Sequence, residues 1–282
     1  MATAFRQDLN VVTKTMLPAF IRRDGAAPLL SCFLLALALT FPPRLAQAQQ
    51  SSVNLGAASS YAVLAGAGVS STGPTIVSGD LGLTNAAPTA LAGFPPGTVV
   101  NGAIHQNDPS ATAAYAALNT AILDAAGRTG GASVSGNLGG QTLTPGLYTS
   151  SSSLAISAGN LTLDAQGNPN AVFIFQMAST LTTSSGLGVI LAGGANPANI
   201  FWQVGSSATI GTSSAFDGTI LASASITLAT GATLNGRALA ITAVTLDSNP
   251  VNSPTVPEPG ALALFALGFG LFAWRRRVNQ VG

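Results

Sequence analysis

The chain has 282 residues, of which 47% are hydrophobic and 7% charged, with 32 glycines and a formal charge of +1. Between Gln49 and Thr255 it holds no lysine, glutamate or cysteine, one histidine (His105), two arginines (Arg128, Arg237) and six aspartates (Asp80, Asp108, Asp124, Asp164, Asp217, Asp247), leaving a formal charge of −4. So few titratable groups exclude ordinary acid–base or nucleophilic catalysis, so few cations exclude nucleic-acid binding, and Cys32 alone allows no disulfide.

The first element is an export signal over 1–48. Arg6, Lys14, Arg22 and Arg23 precede the short apolar run Leu29–Phe41, and Ala46-Gln47-Ala48 supplies the small-x-small site read by signal peptidase. Residues 53–102 then alternate short apolar runs (Tyr61–Leu64, Thr75–Val77, Leu81–Leu83, Thr98–Val100) with Gly, Pro and Asn, which reads as strands and tight turns. A helix follows at about 108–126. Asp108 and Pro109 open it as N-cap and first helical residue, and Tyr115, Leu118, Ile122 and Ala125 lie on one face. Gly127 reads as its C-cap. His105, just ahead of the N-cap, reads as a structural loop histidine.

Strands resume at Gly146–Tyr148, Leu154–Ile156, Leu161–Leu163, Val172–Phe175 and Val189–Leu191. Three blocks of 18 residues, Asn199–Phe216, Asp217–Leu234 and Asn235–Asn252, then align without a gap. They place Thr209, Thr227 and Thr245 in one column between apolar columns Ala208/Ile226/Val244 and Ile210/Leu228/Leu246. A short period of this kind marks a solenoid. With about six residues per side of a triangular section, alternation turns the threonines outward if the apolar columns point in. The column Asn199/Asp217/Asn235 reads as a turn-capping polar ladder, and Trp202, whose mates are Ile220 and Ala238, as core. No metal or cofactor site is visible, since the aspartates are scattered and out of phase with the glycines.

The final segment, 256–282, has its own composition. Pro257-Glu258-Pro259 precedes the apolar run Ala261–Trp274, and Arg275, Arg276 and Arg277 close it. That order resembles the PEP-CTERM sorting signal. The resemblance implies a Gram-negative exporter, a short transmembrane helix inserted transiently in the inner membrane, and processing by an exosortase near Pro257–Pro259. The product would sit at the outer surface or outside the cell.

The body, 49–255, carries a second resemblance. Asn54–Leu64, Ser78–Gly82, Gly93–Val99, Pro145–Tyr148, Phe173–Gln176, Phe201–Ala208 and Asn235–Leu239 are similar to segments of the DUF3494 ice-binding proteins. The resemblance implies a mainly β fold: a right-handed discontinuous β-solenoid of triangular section, one long helix packed alongside, the N-terminal turn stacked near the C-terminal ones, and one flat face that adsorbs to ice. The family's Thr-Ala/Gly-x-Thr/Asn motif is matched by Thr72-Gly73-Pro74-Thr75 and by Thr230-Gly231-Ala232-Thr233. Thr212-Ser213-Ser214-Ala215 keeps only the first threonine, and Ser248-Asn249-Pro250-Val251 keeps none. The candidate ice-binding residues are therefore Thr72, Thr75, Thr209, Thr212, Thr227, Thr230, Thr233 and Thr245.

A row of outward threonines offers methyls and hydroxyls at regular spacing on a stiff backbone, but threonine is also an ordinary residue of a solvated strand face. The competing reading is an extracellular matrix or adhesion module whose face binds exopolysaccharide or the surface of another cell. Both readings are non-enzymatic.

Overall fold

The computed structural model describes residues 50–254. The export signal at 1–48 and the sorting segment at 256–282 lie outside the described residues. Within them the chain is a β-solenoid with three faces, every strand pairing parallel to its neighbours, and one long helix. Parallel coils bury their inward side chains on each face, so the core is one continuous apolar column running from Val77 and Leu81 through Val244, Ile226 and Ile210 to Leu154 and Leu161.

Each coil visits the three faces in turn. Tyr61–Ala65, Gly68–Thr72 and Ile76–Ser78 belong to the first, second and third faces, and Asp80–Leu83 begins the next coil on the first. The 18-residue coils found in the sequence are confirmed by register, with Asp217 opposite Asn235 and Thr209 opposite Thr227. Their two longest strands, Ala215–Ala222 and Thr233–Ala240, run across the corner between the third and first faces. Earlier coils are longer: Phe173 pairs with Ile200, and Leu154 with Leu181, both at a spacing of 27. The extra residues sit between the third and first faces, at 165–172 and 193–199, and leave the second face uninterrupted.

Spatial order differs from chain order. On the second face it runs Leu91–Ala92, Gly68–Thr72, Ala243–Asp247, Ile226–Leu228, Ala208–Ile210, Leu181–Thr183, Leu154–Ile156, Gly136–Asn137. The N-terminal coils thus dock on the last coil, through Val63 against Ala238 and Ser70 against Thr245. The helix, α1 (Pro109–Gly127, 19 residues), makes this possible. It spans about 28 Å, carrying the chain from Ile104–Gln106 at one end of the first face to Ala132–Ser133 at the other, where winding restarts toward the middle.

Helix α1 begins as expected, with Asp108 Oδ1 accepting from Ala111 N–H at 2.7 Å and Pro109 at N1. The same carboxylate meets His105 Nδ1 at 2.7 Å, giving His105 a structural partner. The Ala111 amide, and after it His105, hold the Asp108 carboxyl below the usual carboxylate range. Ala114, Leu118, Ala121, Ile122 and Ala125 are buried against Leu64, Leu147, Ile174, Phe201, Leu221 and Leu239 of the first face. Small alanines let the helix lie close to the sheet. The C-terminus departs from the expected glycine cap: α1 runs to Gly127, Arg128 follows in extended conformation, and Gln176 Nε2 donates to Ala125 O (2.6 Å) and Arg128 O (2.9 Å). A buried side chain of the sheet satisfies the carbonyls that a left-handed glycine would otherwise release to local amides.

Trp202 is fully buried, as its repeat mates imply. It continues a column of rings inside the solenoid, 4.0 Å and 9° from Phe175 and 5.0 Å from Phe216, with Tyr148 5.2 Å beyond Phe175. Its Nε1 donates to Asp217 O at 3.0 Å.

Candidate functional site

The first face is covered by α1, which leaves the second and third exposed. On the second face five successive strands, from Ala243–Asp247 to Leu154–Ile156, repeat the triplet buried–outward–buried. Ala208-Thr209-Ile210, Ile226-Thr227-Leu228 and Val244-Thr245-Leu246 keep their flanking residues buried and their threonines turned out. Register extends the column beyond the three expected members to Ala92, Ser70, Thr245, Thr227, Thr209, Thr182, Ala155 and Asn137. These eight residues cross all eight strands of the second face at the inter-strand step of about 4.8 Å. All are small and uncharged. Ser70 Oγ lies 3.5 Å from Thr245 Oγ1, joining two members.

A parallel row of small hydroxyls flanks the column. Ser153, Thr180, Ser207 and Ser225 precede the inward residues of four successive strands, and Thr180 Oγ1 donates to Ser153 Oγ at 2.8 Å. The other flank is the corner with the third face, where Thr72, Asp247, Thr230 and Thr212 form a rim. Their carbonyls accept from the N–H groups of Ser248, Gly231, Ser213 and Gly186 at 2.8–3.0 Å. Those four residues, with Gly73, sit at positive φ, so each coil turns the corner through one left-handed residue.

The eight sequence candidates separate on this framework. Thr209, Thr227 and Thr245 lie in the central column, and Thr72, Thr212 and Thr230 on the rim. Thr233 lies past the corner on the third face, opposite Ala215 and one position before the paired Leu234 and Val251. Thr75 does not belong to any surface. It is fully buried, its hydroxyl accepting from Ser71 Oγ at 2.7 Å and from Asn249 N at 3.2 Å. The two Thr-Gly-x-Thr segments are therefore not equivalent. Proline at 74 adds a residue to its corner, so that Ile76, and not Thr75, meets Pro250.

The gapless repeat also fails at the last corner. Gly231 N–H donates to Asp247 O, and Asn235 pairs with Asn252, a spacing of 17. Asp247, and not Ser248, thus occupies the rim position of Thr230, and Thr230 Oγ1 donates to its carboxylate. Asn249, at the buried corner position that Ala232 holds in the preceding coil, donates to the carbonyls of Ala229 and Ala232 at 2.9 Å each. Thr182, Ser70, Ala155 and Asn137 were not among the candidates. The signal for Thr182 lies in the triplets Leu154-Ala155-Ile156, Leu181-Thr182-Thr183 and Ala208-Thr209-Ile210, which repeat at 27 and escape a search for 18.

Among the described residues the exposed large apolar side chains are Ile76, Val100, Ile104, Leu123 and Ile190, none of them on the second face. Asp247 on the rim is its single charge. No group of three His, Cys, Asp or Glu that could hold a metal ion occurs among the described residues. The arrangement offers no proton-transfer pair; it offers a stiff, neutral plane of alternating methyl and hydroxyl groups.

The Ice-binding-like family model matches residues 63–252, about two thirds of the chain. The chain belongs to that family. The PEP-CTERM protein-sorting motif matches residues 255–277. An ice-binding protein of Nostoc sp. (strain HG1) is 41% identical over 251 residues, covering 83% of this chain and 91% of the relative. One from Leucosporidium sp. (strain AY30) is 40% identical, covering 74% and 86%. Among solved structures, an ice-binding protein from an Antarctic biological consortium is 51% identical with a TM-score of 0.69, covering 72% of this chain and 91% of its own. That of Antarctomyces psychrotrophicus is 41% identical with a TM-score of 0.68, covering 73% and 100%. Ice-binding-like members are not enzymes. The β-solenoid with a helix alongside and the exosortase sorting motif thus stand together in one chain. No helix among the described residues is long and apolar enough to cross a membrane; the run Ala261–Trp274 lies outside them.

Proposed function

We propose that this protein is exported and adsorbs to ice through the second face of its solenoid. The observation that carries the reading is the eight-residue column of small uncharged side chains centred on Thr182, Thr209, Thr227 and Thr245. Two features make such a column suited to a crystal lattice. The parallel ladder fixes the rung spacing, and χ1 of threonine is already restricted, so little conformational entropy remains to be lost on adsorption. Neutrality matters as well, because a charged group facing ice would keep its own hydration shell. The absence of an aromatic platform on this face favours ice over a polysaccharide partner.

Export follows from the two terminal segments. Residues 1–48 act as a signal peptide cleaved by signal peptidase, Ala261–Trp274 with Arg275–Arg277 as a transient inner-membrane anchor, and Pro257–Pro259 as the exosortase target. The mature domain, 49–255, then reaches the outer surface or the medium.

The test is substitution by a bulky residue at three rungs. Thr182→Tyr, Thr209→Tyr and Thr227→Tyr should each abolish thermal hysteresis and ice shaping while leaving the circular dichroism spectrum and thermal midpoint close to wild type. Thr233→Tyr, on the third face, should leave activity intact. Full activity in the first three variants would reject the face.

A further inference from the structure

Among the described residues Asp247 is the one charged side chain of the second face, and it stands where the neighbouring coils carry threonine. Register sets Thr72 opposite it on one side, and Thr230 holds the same rim position on the other. Along Ala243–Asp247, Val244 and Leu246 are buried while Thr245 is exposed and Asp247 half-buried, so alternation turns the carboxylate to the same side as Thr245. It reaches the rim because the last corner is one residue shorter than the repeat, and Asp247, in place of Ser248, follows Thr230.

The coils on both sides are shaped around that carboxylate. Thr230 Oγ1 donates to Oδ2 from the preceding coil, and Ser248 Oγ donates to Oδ1 at 3.2 Å. Ser248 N–H donates to Thr72 O at 2.8 Å. A Cβ at Gly73 would come 2.3 Å from Ser248 Oγ, so the lack of a side chain there gives the serine its place. Asp247 therefore stands at the seam where the N-terminal coils dock on the last coil, with one protein hydroxyl on each oxygen.

These contacts act in opposite directions on stability and on adsorption. Bonds from hydroxyls to a carboxylate are stronger than those between neutral groups, and they fasten the seam. A carboxylate is also acceptor-only, with about four lone-pair sites. Two are taken by the hydroxyls; the others hold water oriented by the charge, not by a lattice, and stripping that water is unfavourable. The Thr230 hydroxyl, its proton committed to Asp247, meets ice as an acceptor alone.

We propose that Asp247 sets the strength of adsorption: it fastens the seam between the first and last coils and, as a hydrated charge that engages the Thr230 hydroxyl, it interrupts the rim of the face. The inference rests on the second face being the adsorbing one. Removing the charge strengthens adsorption and weakens the fold.

The experiment compares the full-length protein with Asp247→Asn, which keeps the shape, Asp247→Thr, which restores the residue of the neighbouring rims, and Thr209→Tyr. Thermal hysteresis at equal concentration should rise above wild type in both Asp247 variants, while their thermal midpoints fall by about 5 °C as the charge-assisted bonds are lost. A purely structural residue would lose stability with no gain in activity. Unchanged or reduced hysteresis in Asp247→Asn, or an unchanged midpoint, overturns the proposal. Ser248→Ala, which opens Oδ1 to water and keeps the charge, should lower hysteresis, and a rise there overturns it as well. Activity that survives Thr209→Tyr rejects the face itself; activity lost there with no gain at Asp247 rejects only the role of Asp247.

Discussion

Thr75 and Thr227 are chemically the same residue and occupy opposite sides of the sheet surface. Thr227 is flanked by buried Ile226 and Leu228, and its side chain points away from the core. Thr75 sits inside the corner, where its hydroxyl accepts from Asn249 N and Ser71 Oγ. Burial without those bonds would be costly, so its role is polar satisfaction of a tight turn. Thr75→Val, which keeps the shape and deletes the hydroxyl, should therefore destabilise by about 1–3 kcal/mol in urea unfolding and leave thermal hysteresis unchanged. A loss of activity without a loss of stability would place Thr75 in the adsorbing surface after all.

Among the elements, the coils are held at their corners as much as along their strands. Gly188 lies against the next coil so closely that a Cβ would come 1.7 Å from Ala215 O. No rotamer relieves a clash with backbone, and Gly188→Ala should cost roughly 3 kcal/mol, read as a fall in the denaturant midpoint.

The polar ladder at the neighbouring corner behaves differently. Burial pushes the Asp217 carboxyl up from 3.8, against the opposing hydrogen bond from Asn235. A raised folded pKa means the folded state binds the proton more tightly than the unfolded state does. Its contribution to stability is present below the unfolded value and is lost as pH rises through the folded one. Asp217→Asn, which matches its ladder mates Asn199 and Asn235, should raise the thermal midpoint at neutral pH. That gain should shrink as pH falls below the usual carboxylate range. A gain constant across pH would assign the effect to something other than ionisation.

At the scale of the whole molecule, the scarcity of titratable groups on the second face, where Asp247 on the rim is the single charge, has its own consequence. Adsorption that depends on shape and neutral hydroxyls should be insensitive to protonation, so thermal hysteresis at constant ionic strength should vary little between about pH 5 and about pH 9. A steep pH profile would point to Asp247 or another charged group in place of the column. Helix α1 matters at this scale too. By returning the chain to the far end of the stack, α1 lets the first coils and the last coil cover each other's edges, so the middle of the solenoid has no exposed strand edge. Burial leaves Arg237, at that junction, with a pKa lowered to about 10, still a cation at physiological pH.

What the sequence by itself determined is the local chemistry. The apolar–Thr–apolar triplets, the N-cap Asp108 with Pro109, the absence of catalytic groups and the sorting segment can all be read without coordinates, because each depends on residues close together along the chain. Only the tertiary structure decided which distant triplets share a row. The column runs from Ala92 through Ser70 to Thr245, then back through Thr182 to Asn137, at spacings of 18 to 27 and across a reversal of chain order, and no fixed period reaches across it. It also decided that Thr75 is inside while Thr72 is outside, since one added residue at a corner redirects a side chain. The reason in both cases is that a strand's face is set by alternation, but its neighbours are set by how the coils close.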